Sequence, residues 1–443
     1  MSARPTPHAG SPRGPARRSR RGLIASLLAV PVLLAAFVAW DNWGRQAPVR
    51  TSPAPDLQAP DLLARGAYLA RAGHCAACHT ARGGAPLAGG RGIDTPFGTV
   101  YSSNLTPDAQ TGLGGWQADD FWTALHLGRS RNGRLLNPAF PYNHTSVITR
   151  EDSDALFAWL QQQPPVRQAQ PADTLPWPLG TQAALAVWRS LFFSPAPFRP
   201  EPAQSPQWNR GAYLVQGLGQ CAACHSPRNA LGASPGVDAL SGGLMPGGQW
   251  YAISLVNDRE SGLASSALDE IVRLLRTGQG AGASTAGPMG EVVQHGLQHL
   301  HTDDLQAMAV YLQSRARQTP QPPALPAPAT TDTRLAGQGA DLYREHCASC
   351  HGAQGQGVPG LYPALAGNRA VQLSRIENLV QTVLYGGYAP ATEGHPRPFG
   401  MPPYVLTFSD TDIAAVLTHL RTQWGHSAGE VTPLQVHRIR TAD

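Results

Sequence analysis

The chain has six cysteines, and every one falls in the same pentapeptide: Cys75-Ala-Ala-Cys78-His79, Cys221-Ala-Ala-Cys224-His225 and Cys347-Ala-Ser-Cys350-His351. Two thiols three residues apart share one face of a helical turn, where they reach the two vinyl groups of a porphyrin. The histidine that follows swings beneath the iron as its proximal ligand. Three covalently bound haem c groups are therefore expected, with His79, His225 and His351 on the irons. A structural zinc site would need two C-x-x-C pairs to converge, whereas these copies stand more than 100 residues apart in the chain. A thioredoxin-like pair or a disulfide across C-x-x-C has no use for a histidine in all three copies.

Iron held by one histidine keeps a sixth position. A thioether or second imidazole there makes an electron carrier, and an open position permits ligand chemistry. Met289, in Gly287-Pro-Met-Gly290, follows His225 by 64 residues, and Met401, in Gly400-Met-Pro-Pro403, follows His351 by 50. Both are assigned as distal ligands, presented from loops beside proline. Met308 lies on the apolar face of a helix and reads as core, and Met245 is a weaker rival to Met289. The first unit has no methionine. There the position of Met289 falls in Asn137-Pro-Ala-Phe140, and the nearest residue able to bind iron is His144, in Phe140-Pro-Tyr-Asn-His144. His144 is taken as the sixth ligand, with His126 and an open position as the alternatives. Two imidazoles would give this haem a lower potential than its thioether-bound neighbours.

These groups need three similar scaffolds, and the chain repeats itself accordingly. Arg65-Gly-Ala-Tyr-Leu69 and Arg210-Gly-Ala-Tyr-Leu214 precede the first two motifs, and Tyr101-Ser-Ser-Asn-Leu-Thr-Pro-Asp108 returns as Tyr251-Ala-Ile-Ser-Leu-Val-Asn-Asp258. The third unit shares the lead Gly339-Ala-x-Leu342. Each unit reads as a short helix, the haem motif, an irregular Gly/Pro-rich loop and a closing helix, at 151–161, 302–314 and 409–422. Thr302 and Ser409 are the expected N-caps. The fold class expected is all-α: three tandem cytochrome c-like domains at 56–163, 207–317 and 334–428, joined by linkers at 164–206 and 318–333. A short apolar helix within the first linker, 181–193, is expected to pack between domains or touch a membrane.

A basic leader, 1–22, precedes an uncharged apolar run, 23–40, which reads as an uncleaved transmembrane signal anchor, with a cleaved signal peptide as the alternative. The body would then lie on the periplasmic side of a bacterial inner membrane. There is no lysine, and eight of the 34 arginines fall in the first 50 residues against one acid, which leaves 26 arginines and 28 acids, a net of −2. A nucleic-acid partner, which needs a basic stripe, is not expected.

The three C-x-x-C-H motifs, Tyr101 to Asp108, Gly287-Pro-Met289 and Gly400-Met-Pro-Pro403 together resemble the membrane-bound tri-haem cytochrome c subunits that accompany periplasmic dehydrogenases. The resemblance spans about residues 60–425. The relatives include subunits serving alcohol, gluconate and aldehyde dehydrogenases and molybdenum hydroxylases such as nicotinate dehydrogenase. The alcohol dehydrogenase type carries methionine where Phe140 stands, and the Phe-Pro-Tyr-x-His form is more similar to the molybdenum hydroxylase partners. The resemblance implies electrons arriving from a molybdopterin, quinoprotein or flavoprotein catalytic subunit and leaving to ubiquinone or a terminal oxidase. No active site of its own is expected. It also implies that the carbonyl of Pro363 accepts the N–H of His351. The competing reading is a peroxidase-like haem enzyme working at an open first haem.

Overall fold

The computed structural model describes residues 18–48, 50, 53–280, 282–321 and 333–442. Most of the leader 1–22 and of the linker 318–333 therefore lie outside the described residues.

A helix, α1 (Arg18–Ala39), comes first. Unit 1 runs α2 (Pro60–Ala72), α3 (Cys75–His79), β1 (Gly92–Thr95), β2 (Gly98–Tyr101), α4 (Ala118–Leu127), α5 (Tyr142–Thr145) and α6 (Arg150–Gln161), and α7 (Gln182–Phe192) follows it. Unit 2 holds α8 (Pro206–Gln216), α9 (Cys221–Cys224), β3 (Gly243–Leu244), β4 (Tyr251–Ala252), α10 (Asp258–Ser261), α11 (Leu268–Thr277), β5 (Gln279–Gly280), β6 (Ala283–Ser284), α12 (Pro288–His295) and α13 (Thr302–Gln318). Unit 3 holds α14 (Thr333–His346), α15 (Ala348–His351), α16 (Arg369–Gln372), α17 (Glu377–Tyr385), β7 (Gly387–Tyr388), β8 (Gly400–Met401), α18 (Asp410–Thr422) and α19 (Pro433–Arg440).

In each unit the first helix crosses the closing helix, and a glycine sits at the crossing. A Cβ on Gly66 would lie 2.0 Å from the Ala155 carbonyl oxygen, one on Gly211 would lie 1.9 Å from that of Ala307, and one on Gly339 would lie 2.1 Å from that of Ala415. These glycines belong to the repeated leads Arg-Gly-Ala-Tyr-Leu and Gly-Ala-x-Leu. No side chain fits where backbone meets backbone, so glycine accepts its helix-propensity cost of about 1 kcal/mol to allow the approach.

The closing helices start where side chains satisfy their free N–H groups. Thr149 Oγ1 accepts from Asp152 N at 3.2 Å to start α6. Ser409 and Asp412 form a reciprocal box at the start of α18, as the sequence led us to expect of Ser409. Thr302 does not cap α13. It is the first helical residue, after His301, and its hydroxyl accepts from Arg276 at 2.9 Å.

The fold is not all-α, which corrects the fold class. Among the described residues helices make up 45%, and four antiparallel hairpins, β1–β2 to β7–β8, lie in the regions read as loops. Glycines at positive φ (Gly98, Gly282 and Gly387 among them) turn the chain back on itself, and the adjoining backbone groups pair in short ladders. The membrane anchor is also corrected. Among the described residues no helix is long and apolar enough to cross a membrane. α1 carries Pro31 in its interior and passes into a π-helical turn, Trp40–Gly44. That turn is docked on α7, with Asn42 Nδ2 donating to the Ala186 carbonyl at 3.0 Å and Arg189 Nε donating to Asn42 Oδ1 at 2.9 Å. α7 in turn packs on unit 1, where Leu185 and Ala186 join Leu135 in a small core against Val38.

Units 1 and 2 share one continuous apolar core, which includes Leu69, Ile148, Leu214 and Leu305. Polar bonds cross this interface in reciprocal pairs. Tyr68 donates to Asp304, which Arg210 holds from its own unit, and Tyr213 donates to Asp152, which Arg65 holds. Unit 3 has a separate core around Leu384, Ile413 and Leu417. It meets unit 2 through polar bonds, with Asn378 Oδ1 accepting from Tyr251 N and Asn378 Nδ2 donating to Tyr251 O, both at 2.8 Å.

Replacing Gly339 with alanine should lower the stability of unit 3 by about 3 kcal/mol, the upper range for overpacking. Denaturant unfolding followed through the Trp424 environment measures this. An unchanged midpoint would show that the crossing tolerates a side chain.

Candidate functional site

Each haem motif sits at the end of its unit's first helix, where the chain turns sharply. His74 and Gln220, the residues before Cys75 and Cys221, are left-handed at φ 52° and φ 50°. Among the described residues no disulfide joins any of the six cysteines. Burial pushes Cys75 and Cys221 up to about 12 and Cys347 up to about 11, so they stay protonated near neutral pH.

The three proximal histidines have a common environment. His79 Nδ1 donates to the Ser103 carbonyl at 2.7 Å, His225 Nδ1 to that of Ile253 at 2.7 Å, and His351 Nδ1 to that of Pro363 at 2.9 Å. The Pro363 contact is the one the resemblance implied. Ser103 and Ile253 occupy matching places in the internal repeat. A carbonyl can only accept, so the proton is fixed on Nδ1 and Nε2 keeps its lone pair. Burial lowers the pKa of all three rings, which keeps them neutral. A metal-binding imidazole needs this second bond to set its tautomer and orientation. The donor set therefore fits haem iron.

His144 repeats the pattern. It sits on α5, is 3% exposed, and donates from Nδ1 to the Gln216 carbonyl at 2.7 Å. Burial brings it down to about 4, so the ring is neutral at pH 7. Among the described residues, no protein bond forms at Nε2 of His79, His144, His225 or His351. His426 shows the contrasting structural use. Its Nδ1 donates to Leu420 O at 2.8 Å, and its Nε2 accepts from Gly367 N at 2.9 Å. His126 lies in the unit 1 core on α4, stacked on the Trp122 indole with ring centroids 4.6 Å apart.

Met289 is the second residue of α12, after Pro288 at its first position, and lies half-buried against the shared core of units 1 and 2. Met401 lies on β8, opposite Gly387 in the ladder, half-buried against the unit 3 core. Both were read as loop residues, and both are held by regular structure. Met308 is 1% exposed on α13, in keeping with its reading as core. The first two haem motifs also approach one another. Cys224 is pushed up first by burial and also by the nearby Cys78, and Arg91 of unit 1 meets Glu291 of α12 at 3.4 Å.

Comparison with known proteins matches this geometry to a family. A cytochrome c family model matches residues 336–424, which is unit 3. The chain is 39% identical over 409 residues to the cytochrome c subunit of a quinone alcohol dehydrogenase of Gluconacetobacter polyoxogenes, covering 86% of each chain. It is 38% identical over 405 residues to the gluconate 2-dehydrogenase cytochrome c subunit of Pantoea cypripedii, covering 87% of this chain and 91% of that one. It is also 38% identical over 424 residues to a nicotinate dehydrogenase subunit of Pseudomonas putida, covering 94% of this chain and 35% of that protein. The chain belongs to the family of dehydrogenase cytochrome c subunits. It is an electron-transfer cytochrome with covalently bound haem c.

The reciprocal bonds at the interface of units 1 and 2 predict a pH dependence. Burial alone would raise Asp304, but the Arg210 guanidinium and the Tyr68 hydroxyl bond the ionised carboxylate and bring it below its usual value. A depressed carboxylate contributes stability above its unfolded pKa and loses it as pH falls through the folded one. Asp304→Asn should therefore flatten the acid limb of thermal stability below about pH 4. Melting curves from pH 3 to 7 measure this, and an unchanged limb contradicts it.

Proposed function

We propose that the chain binds three haem c groups and relays electrons through them from a dehydrogenase catalytic subunit to a membrane quinone or a terminal oxidase. The observation that carries this reading is the bond from each proximal histidine Nδ1 to a main-chain carbonyl. It turns Nε2 of each ring toward one task, binding a metal. Bound haem iron supplies one-electron chemistry. The protein supplies attachment, orientation and burial. The thiol pairs Cys75/Cys78, Cys221/Cys224 and Cys347/Cys350 tether the three porphyrins, and His144, Met289 and Met401 are the distal ligands.

His144 is preferred to His126 because its Nδ1 donates to a main-chain carbonyl, whereas Nδ1 of His126 is buried without a partner among the described residues. The donor is a molybdenum hydroxylase or an alcohol, aldehyde or gluconate dehydrogenase. The similarity to the Pseudomonas putida nicotinate dehydrogenase subunit and the Phe140-Pro-Tyr-Asn-His144 sequence support the molybdenum class. The acceptor side is placed at the periplasmic face of the inner membrane. An exposed apolar surface supports that placement. Val187 and Leu191 on the outer face of α7 are 50% and 65% exposed, and Trp177 before it is 86% exposed.

Carbon monoxide tests the ligand set. The reduced protein should bind none, whereas His144→Ala should open one haem in three to it. Met289→Ala and Met401→Ala should each remove the near-infrared thioether–iron band of one haem. Carbon monoxide binding by the unaltered protein, with no change on His144→Ala, contradicts the relay and favours a haem enzyme.

A further inference from the structure

His144 belongs to unit 1, but the carbonyl that takes its Nδ1 proton does not. Gln216 is the last residue of α8, the helix that leads into Cys221. We propose that unit 2 positions the distal ligand of the first haem, so that the redox potential of that haem is set across the unit interface. The proposal rests on the reading of His144 as that ligand.

The Gln216 carbonyl is held from several directions. The Gln216 side chain donates from Nε2 to the Tyr311 hydroxyl of α13 at 2.8 Å. One turn earlier on α8, the Tyr213 hydroxyl donates to Asp152 and accepts from Thr149 N at 3.1 Å. Both partners lie at the start of α6, shortly after His144 in the chain. Between them, Val147 and Ile148 pack on Gly217, whose Cβ would lie 3.6 Å from each. The ring of His144 and the carbonyl facing it are thus fixed in one frame, with His144 buried to 3% exposure. An imidazole that donates strongly from Nδ1 becomes a better electron donor through Nε2. A stronger donor stabilises ferric iron, so this contact holds the first haem at low potential.

The matching place in unit 2 cannot work the same way. Gly296 stands eight residues before Asp304, as His144 stands eight before Asp152. A Cβ on Gly296 would lie 1.8 Å from His74 Cε1 of unit 1. The reciprocal interface therefore admits one imidazole ligand in this position and excludes the other, and the sequence supplies Met289 to unit 2 instead. The interface that makes the first two units alike in shape makes their haems unlike in potential.

The test uses the full, haem-loaded chain and optical redox titration of all three haems. Tyr213→Phe keeps the ring and removes the hydroxyl that ties α8 to unit 1. The midpoint of the bis-imidazole haem should rise, by up to tenfold in its reduction equilibrium, or about 59 mV for one electron, while the other two stay in place. Tyr68→Phe removes the matching bond, which involves neither Gln216 nor its partners, and should leave all three midpoints unchanged. Tyr311→Phe frees the Gln216 side chain and should shift the same haem in the same direction, which provides the measurement should Tyr213→Phe fail to take up haem. The proposal is overturned when these variants move no midpoint, or move all three alike. His144→Ala separates the two failures. If it leaves every haem six-coordinate, the ligand reading itself is wrong. If it opens one haem while Tyr213→Phe and Tyr311→Phe leave that midpoint alone, only the cross-unit positioning is wrong.

Discussion

Close approach of two backbones is the constraint on which each unit depends. The first and closing helices touch at Gly66 and Ala155, at Gly211 and Ala307, and at Gly339 and Ala415. The closing helix can then lie across the first one and fix where it ends, and the haem motif begins within a few residues of that end. On the return of the chain between the motif and the closing helix, Met289, Met401 and His144 are carried on a short helix or a hairpin. A side chain at the crossing would push the two helices apart and with them the segments that each one holds in place.

Within that frame, the main chain does much of the work of orienting the imidazoles proposed as ligands. Four carbonyls, from Ser103, Ile253, Pro363 and Gln216, fix the proton positions of four imidazoles. Three of these carbonyls come from the histidine's own unit and one from its neighbour. The interfaces differ in the same spirit. Units 1 and 2 share an apolar core that also brings Cys78 near Cys224. Unit 3 has its own core and meets unit 2 mainly through polar bonds, the kind of interface that holds domains less firmly than an apolar one.

The haem motifs were legible in the sequence because their chemistry is local: cysteine, cysteine and histidine within five residues. The closing helices were legible from their apolar period. The glycine crossings could have been read too, since a glycine recurs at one place in all three leads, but helix propensity argues against glycine and only packing explains it. The hairpins were not legible. Their strands are as short as two residues, as in Gly387–Tyr388 and Gly400–Met401, and arise from turn geometry, which leaves no alternating pattern. The reading of 23–40 as a membrane span rested on hydropathy, length and the arginine cluster before it, and could not foresee the turn that docks on α7. The partner of His144 was out of reach for a different reason. A carbonyl has no residue type, and Gln216 lies 72 positions away in another unit.

The central claim is that this polypeptide is a scaffold for three covalently tethered haems. Intact-mass measurement of the chain matured in a host with a haem-attachment system tests it most directly. The account predicts a mass raised by three haem groups, all of which remain after acid–acetone extraction. A mass equal to the bare polypeptide, or haem that extracts with the solvent, would contradict it.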